Sequence, residues 1–368
     1  MEGIFLARPD RPADGIPLAV KDLLDTAGIV TTYGSALFAD HVPSRSAEAV
    51  TRLEAAGYAN VGKTNLHEFA YGISSQNPHF GTVPNPAAPG RLAGGSSGGS
   101  AAALAAELAD AALGTDSGGS IRIPAAWCGI VGFKPTFGLV PVAGCFPLAP
   151  SYDHVGPMAR SVEECEAMMR ALVPAFEPAR PGSLDGLRVG IAWLEHCDPL
   201  VRTRVEEAAA HFPDTRRVDL PLFRADSALF MREAADVHRG LFPEQAESYG
   251  DNVRTKLERC LDVSDAEVDT ARRAREDYRE RAERLLDELD LLLTPTIGFV
   301  APPADVQELD IRERAVAFTY PFDSLGWPAL ALPCGAAEDG LPTSVQLVGY
   351  RGDDELVLGV GSTLASLV

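Results

Sequence analysis

The chain has 368 residues, 46% hydrophobic and 23% charged. That composition excludes disorder, collagen and coiled coil, and the length allows one large domain or two ordinary ones. Acidic residues outnumber basic ones 52 to 32, a net charge of −20, and a field of that sign argues against direct contact with nucleic acid or an anionic membrane.

The chain opens on a short apolar run before Arg8 and Pro9, with no signal-peptide pattern. Six scattered cysteines, at 128, 145, 165, 197, 260 and 334, show no CxxC and no zinc-like spacing. They read as reduced thiols of a cytoplasmic protein that holds no metal. Ile16 to Val20 reads as a strand that delivers Lys21 and Asp22 to its end. Residues 46 to 56 read as a helix stopped by Gly57, and Tyr58 to Val61 as a short strand. Ser100 to Asp110 reads as a small-residue helix and Ala111 to Thr115 as the strand after it. Ile121-Arg-Ile-Pro124 has the form of a helix start. The longest Ala/Leu-rich run, Ser100 to Gly114, is broken by Glu107 and Asp110, so no segment is expected to span a membrane. Asp153-His154 reads as a local turn pair.

Leu187 to Trp193 is a further strand, and Ser264 with Glu267 forms a capping box. It opens a helix with apolar positions Val268, Ala271, Ala274, Tyr278, Ala282 and Leu285. Leu291 to Thr294, Ala329 to Leu332 and Val345 to Val348 are the last strands. Apolar strand-length runs alternating with helical patterns indicate an α/β protein. Pro181-Gly182 is the best candidate for a break, but strands resume beyond it, which favours one domain.

Two motifs match patterns whose mechanics they lack. Gly57 to Thr64 fits GxxxxGK[ST], yet a phosphate loop needs a strand before its first glycine and a helix at its lysine, and here the order is reversed. Gly94 to Gly98 fits G-x-S-x-G, yet a loop precedes it where the nucleophile elbow needs a buried strand. His67-Glu68 lacks the second histidine of a zinc helix.

Chemistry concentrates between Gly94 and Ser120, where GGSSGGS, an Ala-rich helix and GTDSGGS follow one another. Glycines allow such loops to turn N–H groups toward a ligand. Ser120, preceded by two glycines at a helix start, sits where free N–H groups stabilise an oxyanion, and it is the candidate nucleophile. No histidine lies nearby in sequence to serve as its base. Lysine occurs only at 21, 63, 134 and 256, leaving 28 arginines of the 32 basic residues. A lysine kept against that background marks a place where arginine cannot substitute, because lysine can lose its proton when buried. Lys21, following a buried strand, is the candidate base, against the commoner reading of a surface lysine paired with Asp22.

Gly15 to Asp22, Gly62-Lys-Thr-Asn65, Gly94 to Ser100 and Gly114 to Pro124 resemble the amidase signature family, as do Asp153 to Arg160 and Gly340 to Gly349. The likeness runs from Gly15 to Gly349 and is weak between about 180 and 285. It implies a central mixed β-sheet flanked by helices on both faces in a single domain over 1–368. Within it lie a catalytic core at about 15–160, a variable middle at about 180–290, and C-terminal strands and substrate loops at about 290–350.

The resemblance further implies a triad of nucleophile Ser120, bridging Ser96 and base Lys21, with a cis Gly95–Ser96 peptide and an oxyanion hole from Ser117, Gly118 and Gly119 together with Ser120. Ser97 is expected in the same network. It is grouped with Ala70, Tyr71, Gly72, Gly95 and Arg122 as substrate-binding, although for Arg122 an ion pair within the fold is the commoner use. Lys63 and Lys134 read as structural. The sequence departs from the family at Asp323, where relatives often have Asn, and at Ser117, where Thr is common. Only 14 residues precede Gly15, where the family usually places a helical segment, and the middle region is short.

The implied activity is hydrolysis of a small carboxamide with release of ammonia or an amine. No cofactor or metal is expected. The expected partner is the amide itself, without nucleic acid or membrane, in a possible homodimer. The alternatives are the glutaminase (A) subunit of a tRNA-dependent amidotransferase and a catalytically silent interaction protein.

Overall fold

The computed structural model describes residues 2–10, 14–179 and 181–368. Its strands are β1 (Phe5–Ala7), β2 (Ile16–Lys21), β3 (Tyr58–Thr64), β4 (Gln76–Asn77), β5 (Gly81–Thr82), β6 (Ala111–Asp116), β7 (Val131–Lys134), β8 (His154–Ala159), β9 (Arg188–Ile191), β10 (Asp214–Arg217), β11 (Leu291–Pro295), β12 (Ala329–Ala336) and β13 (Pro342–Val348). All but the β4–β5 pair join one mixed sheet in the order β1-β3-β2-β6-β8-β7-β12-β13-β11-β9-β10. Strand β2 lies parallel to both β3 and β6, and the centre of the sheet is antiparallel.

Side-chain alternation along β2 assigns the two faces. Leu18 and Val20 enter a cluster with α1 (Glu48–Ala55) and α4 (Val162–Leu172). Ala19 points the other way, into a cluster with the alanines of α2 (Gly98–Ala105) and with α3 (Arg122–Cys128). Successive strand residues face opposite sides, so Lys21 follows Ala19 toward α2. Each large aliphatic side chain buried in these layers contributes roughly 1.5–3 kcal/mol. The remaining α-helices are α5 (Pro199–Ala209), α6 (Ser227–His238), α7 (Asp251–Leu261), α8 (Asp265–Leu286), α9 (Glu308–Val316), α10 (Tyr320–Leu325) and α11 (Asp354–Ala365). Of these, α6, α7 and α9 form a layer over the nucleophile end of the sheet, with the apolar residues Phe230, Val253, Leu257 and Val316 beneath them.

The sequence-derived elements are found with shifted boundaries: β9 stops at Ile191, β12 runs on to Ala336 and β13 begins at Pro342. Strand β3 runs on to Thr64, so the GxxxxGK[ST] stretch ends inside a strand and forms no phosphate cradle. The expected strand ends at Val61; its polar extension is buried because the partner that neutralises Lys63, Asp22 at 3.1 Å, follows β2. Helix α2 begins two residues earlier than expected and stops sooner, because Glu107 takes a left-handed φ of 56°. A Cβ on Gly99 in its first turn would lie 2.3 Å from the Asn65 carbonyl oxygen, so only glycine permits this approach. In α8 the capping box of Ser264 and Glu267 is formed, and the apolar face closes on buried Leu286 with Leu285 only partly covered.

Candidate active site

Strand β2 ends with Lys21 fully buried, its Nζ 2.7 Å from Ser96 Oγ, 2.9 Å from Ser97 Oγ and 2.7 Å from Thr115 Oγ1. Burial lowers its pKa from 10.5 to about 7, against opposing pulls from Cys145, Asp116 and Asp153. The hydroxyls differ in what else they touch. Ser97 Oγ donates to the Thr115 carbonyl at 3.2 Å, so it accepts from Lys21. Ser96 Oγ has no further partner among the described residues, which leaves its proton free to point at the lone pair of a neutral Lys21. The Gly95–Ser96 peptide is cis. The Ser97 N–H donates to the Ser120 carbonyl at 3.1 Å, tying the two Gly/Ser loops together. The Ser120 hydroxyl makes no hydrogen bond among the described residues and faces a cavity of about 260 Å³.

The loop carrying Ser120 is held from below by a buried charge cluster. All five N–H groups of Arg122 are engaged: Nε and Nη2 on Asp116 at 2.9 and 3.0 Å, Nη2 on Asp323 at 2.7 Å, and Nη1 on Gln346 Oε1 and the Thr319 carbonyl at 2.8 and 3.0 Å. Arg122, besides hydrogen bonds from the loop, holds the Asp116 carboxyl far below the usual carboxylate range although burial opposes this. Asp116 in turn accepts the N–H groups of Gly119, at 2.5 Å, and Ile121, at 3.1 Å. Two expectations are corrected here. Arg122 has no donor left for a substrate and is wholly buried, so it is an ion-pair core of the fold. The Gly119 N–H is spent on Asp116. Ser117, Gly118 and Ser120 line the cavity, and their N–H groups have no hydrogen-bond partner among the described residues. Gly119 itself has φ 128°, and its Cβ would meet Thr319 Oγ1 at 2.3 Å.

Ala70, Tyr71 and Gly72 line the cavity beside Ser117, Gly118 and Ser120. Gly95 and Ser97 do not: Gly95 packs under Ser75, and Ser97 is enclosed with Lys21. The local turn reading of Asp153-His154 is also replaced. Asp153 accepts from Ser117 Oγ at 2.6 Å and from the N–H groups of Leu148 and Ala149, while His154 lies in β8 with Nδ1 3.5 Å from Asp323. Lys63 and Lys134 are structural, the latter donating to the Trp327 carbonyl at 2.6 Å.

The far wall, from α7, α9 and the segment leading into α6, carries residues that no motif announces: Arg224, Lys256, Arg259, Arg312 and Glu313. Lys256 donates to the Tyr71 carbonyl, Asn252 Oδ1 and Glu308 Oε2 at 2.7–2.8 Å. These partners are all acceptors and favour the ammonium, while burial, helped by Arg312, pulls its pKa down from 10.5 to about 7. No group of three or more His, Cys, Asp or Glu able to hold a metal occurs among the described residues, and no helix there is long and apolar enough to cross a membrane.

A family model described as Amidase matches residues 5–358. The glutamyl-tRNA(Gln) amidotransferase A subunit of Roseiflexus sp. (strain RS-1) is 34% identical over 400 aligned positions, covering 95% of this chain and 82% of that protein. A crystal structure of an amidase superposes with a TM-score of 0.87 at 36% identity, covering 96% of this chain and 84% of that one. An inhibitor-bound structure from work on a vestigial protein complex and the origins of an s-triazine catabolic enzyme superposes with a TM-score of 0.89 at 30% identity, with the same coverage.

Proposed function

The chain belongs to the amidase family and is an enzyme of amide C–N bonds, and we propose that it hydrolyses a small carboxamide through an acyl-enzyme on Ser120. The observation that carries this reading is the buried Lys21, 2.7 Å from Ser96, beneath a loop whose Ser120 faces the cavity. Neutral Lys21 takes the Ser96 proton as Ser96 takes that of Ser120, and the Ser120 oxygen bonds to the amide carbon. The oxyanion is stabilised by the N–H groups of Ser117, Gly118 and Ser120, donors already fixed in place by the Asp116–Arg122 cluster. As the C–N bond breaks, the departing nitrogen receives the proton from Ser96, which Lys21 resupplies. Water then attacks the ester, losing its proton along the same path, and the carboxylic acid leaves with Ser120 restored. No cofactor takes part.

A second reading, ammonia production from glutamine within a tRNA-dependent amidotransferase, is favoured by the relatives, since the Roseiflexus protein at 34% identity is a component of such an enzyme. Ammonia release separates the two. Primary carboxamides and glutamine are each given to the purified chain and to Ser120→Ala. Turnover of carboxamides by the chain alone, lost in the variant, supports the first reading. Turnover of glutamine only, and only with partner subunits added, supports the second. Equal ammonia from wild type and Ser120→Ala overturns both.

A further inference from the structure

The cavity's charge is opposite to that of the protein. Four cationic side chains line it, Arg224, Lys256, Arg259 and Arg312, in a chain of net charge −20. Two carboxylates oppose them. Glu308 is shared between Lys256 at 2.8 Å and Arg312 at 2.9 Å. Glu313 meets Arg224 alone, at 3.1 Å, and its side chain is 72% exposed, a setting in which an ion pair holds weakly. The Arg259 side chain, exposed on α7, has no hydrogen bond or ion pair among the described residues. Three arginines against two carboxylates leave the cavity an excess of one positive charge, to which Lys256 adds when protonated.

Arg224 is built as an anion receptor. Its guanidinium lies over the Tyr320 ring, 4.8 Å from the centroid, which fixes the plane of the fork. Its Nε is buried without an acceptor, and its two terminal nitrogens meet only the solvent-facing Glu313, Nη1 at 3.1 Å from Oε2 and Nη2 donating to Oε1 at 3.2 Å. A buried guanidinium N–H without an acceptor is costly, and a carboxylate arriving edge-on supplies two acceptor oxygens in the matching geometry.

We propose that the acyl part of the substrate ends in a carboxylate that binds Arg224 in place of Glu313, with Arg259 adding to the attraction. The substrate is thus a net anion, the mono-amide of a dicarboxylic acid. An amino-acid zwitterion, whose two charges cancel, leaves the positive excess uncompensated. This rests on the reading that the carbonyl is attacked by Ser120, and it adds the specificity of the same cavity.

The probes are matched pairs, succinamate against butyramide and glutaramate against pentanamide, with glutamine as the zwitterion. The wild type is expected to prefer the anionic member of each pair. Arg224→Gln should cut that preference by about 10- to 100-fold through KM, the worth of a hydrogen bond to a charged group. Glu313→Gln should move it the opposite way, because a competing carboxylate is gone. Calorimetry with succinate and butyrate reads the same anion site without turnover, and fluorophosphonate labelling of wild-type Ser120 reports separately on the nucleophile. Succinate binding with no label on Ser120 keeps the anion site and removes the acylation reading. Equal use of both members of each pair, an unchanged preference in Arg224→Gln, or glutamine preferred over both anions with a loss in Glu313→Gln overturns the proposal.

Discussion

Lowering the pH through 7 charges Lys21 in place and removes the base that the proposed acylation needs. Its pKa falls from 10.5 to about 7 because burial strips the ammonium of water, and the nearby acidic groups recover only part of that loss. At about 1.36 kcal/mol per unit, charging Lys21 in the folded protein costs roughly 5 kcal/mol more than in water. The neutral fraction is about one half at pH 7 and falls roughly tenfold per unit below it. The pseudo-first-order rate of Ser120 modification by a fluorophosphonate, followed from pH 5 to 9, should climb tenfold per unit to pH 7 and level off by about 8. A flat profile, or one still rising through 9 as an ordinary lysine dictates, refutes the reasoning. The same shift has a signature in stability. The folded pKa lies below the unfolded one, so the unfolded chain binds more protons between about pH 7 and 10.5, and stability rises with pH across that window. Lys21→Met lacks this gain, so the wild type should improve relative to the variant as pH rises from 7 to 10, by about 3.5 kcal/mol.

Arg122→Leu strands Asp116 and Asp323 in the core and should cost roughly 3–5 kcal/mol, read from the urea midpoint or from lost soluble protein. A variant as stable as the wild type contradicts the role given to the cluster. Gly119→Ala forces a Cβ onto Thr319 and disturbs the free N–H groups beside it, so kcat should fall about 100-fold or more. Unchanged turnover would remove those N–H groups from the mechanism. Asp153→Asn leaves at least one of its three donors, Ser117 Oγ and the Leu148 and Ala149 N–H groups, without an acceptor. It should lose about 1–3 kcal/mol of stability, measured by thermal unfolding.

Much of the site is legible in the sequence because its parts are local. The two Gly/Ser loops lie within one 27-residue stretch, and β2 carries Lys21 to them by simple alternation. The scarcity of lysine is informative as well: Lys21, Lys63, Lys134 and Lys256 are all buried, each placing a compact ammonium or amine among fixed acceptors. What sequence reasoning misses depends on distant pairing. Arg122 looks available to a substrate until Asp323, 201 residues away, closes on it. Asp153 looks local until β6 and β8 pair and bring Ser117 to it. Gly119 seems an oxyanion donor until Asp116, locked by Arg122, takes its N–H. The cations of the cavity come from stretches without motifs, Arg224 before α6, Lys256 on α7 and Arg312 on α9, and converge only when these pack against Tyr320 and Tyr71.

The account turns on Ser120 as the group that Lys21 activates through Ser96. Treatment with a fluorophosphonate followed by intact-mass measurement and peptide mapping tests this in one experiment. The expected result is a single adduct on Ser120 that is absent from Lys21→Ala and Ser96→Ala preparations that retain the fold. An adduct on Ser96, or undiminished labelling of Ser120 in Lys21→Ala, contradicts the account.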